Sequence, residues 1–119
     1  MNSFLTWMQE RLAGIDAHEA AAQAALQASD EKAYRAVLLE KAELLAALED
    51  DAEALLPKLP PAEQIFARQK LHGFASGAQF SLQLNSPWFM SALLYPEDHK
   101  LGDPHDLQVF VTELEARLS

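Results

Sequence analysis

Side chains that favour burial return at alternating steps of three and four from the start of the chain. Leu5, Met8, Leu12, Ile15, Ala22 and Leu26, with Glu19 completing the series, mark one stripe between Ser3 and about Ala28. That spacing keeps one face of a helix apolar and predicts an amphipathic helix. A second series, Tyr34, Leu38, Lys41, Leu45, Leu48, Ala52 and Leu55, predicts another from about Asp30 to Leu56. The two are mirror images about position 30. A chain folded back there as an antiparallel hairpin brings Leu26 to Tyr34, Ala22 to Leu38, Ile15 to Leu45, Leu12 to Leu48, Met8 to Ala52 and Leu5 to Leu55. Ser29 and Asp30 supply the turn and an N-cap.

Prolines punctuate the rest of the chain. Pro57, Pro60 and Pro61 break the second helix, and Pro61 suits the first turn of a third, where a missing N–H costs nothing. That helix is expected to reach about Leu84, with Ile65, Phe66, Leu71, Phe74, Phe80, Leu82 and Leu84 as its apolar positions. Gly73 and Gly77 in its middle predict either a kink or break near Gly77, or a place where another backbone comes close. Asn85-Ser86-Pro87 then reads as a stop, a serine cap and a proline start. The short helix it opens runs from Trp88 to Tyr95 and is apolar nearly all round. Pro96 ends it, a polar loop comes next, and Asp103-Pro104 is expected to cap and start a last helix with Leu107, Phe110, Val111, Leu114 and Leu118 facing the core. The fold class is therefore all-α and four-helix-bundle-like: a helical hairpin over residues 3–56 packed with two or three further helices in a second half over 61–118, one domain across 1–119.

Charge and composition narrow the function more than they define it. Eighteen Asp and Glu stand against nine Lys and Arg, a formal charge of −9 that repels nucleic-acid phosphates and anionic lipid. No apolar run approaches the roughly 18 to 20 residues that span a bilayer. No cysteine is present, which excludes thiolate metal sites and disulfides and, with no signal peptide in view, points to the cytoplasm. The expected partner is a protein or a second copy of the chain, with neither nucleic acid nor membrane involved.

Candidate chemistry is thin. No histidine follows an acidic residue at the Glu-x-x-His spacing of di-iron bundles, and neither His18 nor His72 has a second ligand four residues on. The stretch from Glu97 to Asp106 holds His99, His105 and four carboxylates, but its spacing fits no EF-hand or zinc motif; helix capping and a solvated loop account for it, so no metal is expected. Glu19 and Lys41 face each other in the hairpin register and read more simply as a pair fixing that register than as an acid/base site. No nucleophile elbow, phosphate loop or dinucleotide turn is present. The best candidate surface is the aromatic segment, with Trp88, Phe89, Met90, Leu93 and Tyr95 as protein-binding residues, because aromatic and methionine side chains dominate binding hot spots.

The run from Ala25 to Tyr34, with its aspartate-containing turn, is followed by Leu39-Glu40-Lys41-Ala42-Glu43-Leu44-Leu45, an acidic-basic pair ahead of paired leucines. This resembles the helix-turn-helix of the small bacterial flagellar and type III export chaperones. The resemblance covers the first half of the chain and carries over no functional residue. It implies an adaptor or chaperone of a bacterial cytoplasm. The expectation is a non-enzymatic helical protein-binding module that takes no cofactor and self-associates or binds another protein. The alternative is a small-molecule sensor or minor enzyme with a pocket near Gly73 to Gly77, beside His72.

Overall fold

The computed structural model describes residues 2–119, and among them there are helices and no strands. The first helix, α1 (Ser3–Gln27), opens on Asn2, whose side chain accepts the Phe4 and Leu5 amides. It turns back through Ser29, in the left-handed region at φ 56°, into α2 (Glu31–Ala52). Asp30 caps α2 by accepting the Ala33 amide at 3.0 Å, the role its position predicts. The register is the expected one. Glu19 and Lys41 meet at 2.7 Å, and Met8, Ile15, Leu45, Leu48 and Ala52 lie fully buried in one cluster with Leu12 packed against it.

Leu26 departs from the pattern. It is 56% exposed, while Ala25 beside it is buried. The far end departs too: α-helical winding stops at Ala52, and the chain tightens into a 3-10 turn (Leu56–Lys58) before Leu59. Pro57 disfavours helical geometry in the residue before it and offers no N–H. Leu56 and Leu59 are nevertheless buried, so the proline segment belongs to the core rather than bridging over it.

Helix α3 (Pro61–Gln83) starts with proline in its first turn and passes unbroken through Gly73 and Gly77. Neither glycine makes room for a close approach: a Cβ on Gly77 would sit 3.7 Å from Leu93, an ordinary contact, and one on Gly73 would meet nothing. The inward face of α3 is only in part the one its large side chains predict: Leu71 is buried and Phe66, Phe74 and Leu82 pack against the core. Ala67, Leu71, Ala75, Ala78 and Ser81 are buried, whereas Ile65, Phe80 and Leu84 face out. Small side chains let α3 lie close along α2, its main packing partner, and the bulky ones are displaced to the flanks.

Ser86 accepts the Phe89 amide at 3.2 Å and opens α4 (Pro87–Ala92), as expected, but the helix ends well before Tyr95. Leu93 is extended and Leu94 sits at φ 76°, a conformation strained for a leucine. The last helix, α5 (Asp106–Leu118), buries Leu107, Phe110, Val111 and Leu114. Its cap is His105 and not Asp103. The His105 ring accepts the Gln108 amide at 3.2 Å while Gln108 Oε1 accepts the His105 amide at 2.8 Å, a reciprocal pair that sets the start two residues later. Asp103 instead closes the preceding loop by accepting the Lys100 amide.

Candidate functional site

Two sets of side chains stand apart from the ordinary core, one polar and closed, the other apolar and open. The polar set forms where α1, α2 and the chain after α4 meet. Lys41, 1% exposed, faces Glu19 Oε1 at 2.7 Å and donates to the carbonyls of Leu93 at 3.1 Å and Ser91 at 3.4 Å. Those acceptors lie at the C-terminal end of α4, where carbonyls lack helical partners and a cation complements the helix dipole. At 2.7 Å, Lys41 and Glu19 Oε1 form an ion pair. Tyr95 donates to Glu19 Oε2 at 2.5 Å, and its ring lies 5.2 Å from the ammonium. Burial lowers the Lys41 pKa from its ordinary 10.5, with the Glu19 carboxylate opposing. Burial and then Glu19 push the Tyr95 phenol above its ordinary range.

His105 continues the set. Its Nδ1 must accept from the Gln108 amide, which places the proton on Nε2, directed at Asp16 Oδ1 at 2.9 Å. The Tyr95 ring packs edge-on against His99 and His105, at centroid distances of 4.9 and 5.9 Å. A buried amine with a lowered pKa is the type of group that enzymes recruit as a nucleophile. Here it lines neither the groove beside Gly73 nor the one at the hairpin tip, and its N–H bonds are spent on carbonyls. The arrangement holds the end of α4 against the hairpin, a structural use consistent with the register-fixing role read from the sequence.

The open set lies on α3 and α4. Trp88 is 70% exposed and Phe89 40%, so these two protein-binding candidates do face solvent. Met90 does not. It is 3% exposed and fills the gap between Ala22, Leu38 and Ala42, because the single turn of α4 points it toward the hairpin while Trp88 and Phe89 point away. Leu93 is half-buried over Gly77, and Tyr95 is half-buried on Glu19, so neither belongs to the open surface. Their places are taken by Phe80 and Leu84, 53% and 49% exposed, which the helical spacing had assigned to the core stripe of α3. Phe80 meets Phe89 edge-on at 5.8 Å, and Phe89 meets Trp88 at 4.9 Å, so the aromatic rings form one connected cluster. Beside it, Pro87 lines a groove of about 380 Å³ that runs to Ala25, Leu26 and Tyr34 at the hairpin tip.

One signal in the sequence marks this face. From Gly73 to Pro96 there is no Asp, Glu, Lys, Arg or His, although 23% of the whole chain is charged. Periodicity alone missed it, because a large apolar residue at helical spacing is read as core whether or not anything covers it.

The remaining candidates are dispersed. His18 faces Glu40 at 3.6 Å and His72 faces Glu49 at 3.0 Å, both across the helical packing. His99 bonds the Asp103 carbonyl at 2.9 Å while His105 turns to Asp16, so the polar loop does not converge on one point. Among the described residues no three His, Asp or Glu side chains are grouped to hold a metal ion. The groove beside Gly73 and Gly77, about 430 Å³, is open; Phe74 is its one aromatic, and Lys70 and Asp106 are exposed. Among the described residues no helix is long and apolar enough to cross a membrane. No protein-family model, curated protein or solved structure compared with the chain matches it.

Proposed function

We propose that this chain is a non-enzymatic helical module that binds protein, an adaptor or chaperone-like component acting in the cytoplasm, and that its binding face is the cluster of Phe80, Leu84, Trp88 and Phe89. One observation carries the reading: an aromatic cluster stands in solvent on a stretch of chain with no charge, in a chain that is otherwise densely charged. Interface centres are enriched in aromatic side chains and depleted of charge, and contiguous apolar patches on soluble proteins mark interaction sites. The polar set supports the same reading from behind, because Lys41 fixes the end of α4 and so holds Trp88 and Phe89 on a rigid base.

The test is photocrosslinking in living cells, with a benzophenone amino acid in place of Trp88 and, as the control, in place of Ile65. Ile65 is also exposed but lies fifteen residues from Phe80 on α3, about 22 Å along the helix. Adducts to polypeptide are expected from position 88 at several times the yield from position 65. Equal yields at the two positions would remove the basis for the reading.

A further inference from the structure

We propose that the occupant of this face is a second copy of the same chain, the two meeting across a two-fold axis; the proposal rests on reading the face as a binding surface. Its basis is charge. Two molecules each carrying −9 repel, and in a symmetric contact every residue near the axis meets its own counterpart. A face bearing carboxylates would oppose itself. The stretch from Gly73 to Pro96 carries none, so the surface that α3 and α4 build from it escapes that penalty. On that stretch a basic partner would find no carboxylate to recognise. The two acidic residues lining the adjoining groove are already engaged: Asp30 accepts the Ala33 amide, and Glu31 pairs with Arg35 at 3.2 Å.

Shape points the same way. A two-fold contact requires a surface to complement itself, so a protrusion must lie beside a recess. Trp88 is the protrusion, and the groove formed by Ala25, Leu26, Tyr34 and Pro87 is the recess beside it. An axis passing near Pro87 places each indole in the other copy's groove, where it covers Leu26, the core-stripe leucine that its own chain leaves exposed. Arg35 at the groove edge offers a cation to the indole face. Gln83 and Asn85, exposed and uncharged, provide a rim that can hydrogen-bond without repelling its copy.

Sedimentation of the full chain over a concentration series into the hundred-micromolar range tests this, with Trp88→Ala, Leu26→Glu and Ile65→Glu beside the wild type. All three substituted side chains are mainly exposed, so the helical fold is expected to survive, which circular dichroism checks. The wild type and Ile65→Glu are expected to dimerise alike, Leu26→Glu to stay monomeric, and Trp88→Ala to weaken the dimer about 1,000-fold, since a hot-spot loss counts twice across a two-fold axis. A wild type monomeric throughout, or a dimer whose constant Trp88→Ala leaves unchanged, overturns the proposal. The crosslinking separates this failure from that of the binding reading. Adducts from position 88 with other polypeptides, together with a monomeric wild type, overturn the second copy alone. Equal adduct yields from positions 88 and 65 overturn both.

Discussion

Glu19→Leu is expected to destabilise the protein by about 3 kcal/mol, near the lower end of what breaking a buried ion pair costs because Glu19 is partly open to water. The Lys41 ammonium would keep its two carbonyl acceptors and lose the carboxylate that offsets its burial. Tyr95 would lose its acceptor in the same change. Adding Lys41→Met is expected to recover much of the loss, since apolar replacement of both partners leaves no buried charge. Urea denaturation of the two single variants and the double variant measures this. A double variant no more stable than Glu19→Leu would show that the charge is not the cause. The pair also sets a pH dependence. Because Lys41 binds its proton less tightly folded than unfolded, stability should rise with pH from its lowered native value toward 10.5. The raised Tyr95 phenol acts oppositely: the unfolded chain releases that proton first, so stability should fall as pH climbs above 10.0. In Glu19→Leu the rise should begin at lower pH and the fall should be smaller, because the carboxylate raises both groups.

The hairpin was legible because its two helices carry their large apolar residues on the faces they bury, and because the two charged residues in those stripes stand in register. The third helix was legible only in part. Its buried face is made of Ala67, Leu71, Ala75, Ala78 and Ser81, and small residues give a weak periodic signal beside Ile65, Phe80 and Leu84. Which face of a helix is covered depends on the partner's position, which a single-chain pattern does not contain. The start of α5 was misplaced for a local reason. Asp-Pro is a strong generic start, but the His105 ring nitrogen accepts the amide of Gln108, three residues on, and Asp16, eighty-nine positions away, holds that ring in place. Of the binding candidates, Trp88 and Phe89 stand in solvent, and Met90 is in the core because α4 is a short helix whose rotation only tertiary contacts fix.

Phe110→Ala is expected to cost about 3 to 5 kcal/mol, as truncation of a buried phenylalanine does. Phe110 is 1% exposed and meets Phe66 in a tilted contact at 5.6 Å and Phe74 edge-on at 5.9 Å, so its ring joins α5 to α3. The space does not close readily, because Leu107 and Leu114 on the same helix are themselves fully buried in close packing. Phe66 is also covered by the Arg117 guanidinium at 3.9 Å, a contact that should loosen with it. Thermal unfolding would read the change. A loss under about 1 kcal/mol would mean that α5 contributes little to the cooperative unit.

The closure around Lys41 has a chemical corollary. Lys32, Lys58, Lys70 and Lys100 stand in solvent, while Lys41 is sealed under the end of α4. An acylating reagent attacks only an unprotonated amine that it can touch. Lys41 meets the first condition more readily than an ordinary lysine and fails the second. The four outer lysines therefore acylate at a rate set by the reagent, and Lys41 at a rate set by how often α4 lifts from the hairpin. The slowest lysine in a labelling time course is in this way a built-in gauge of opening at the base of the aromatic face.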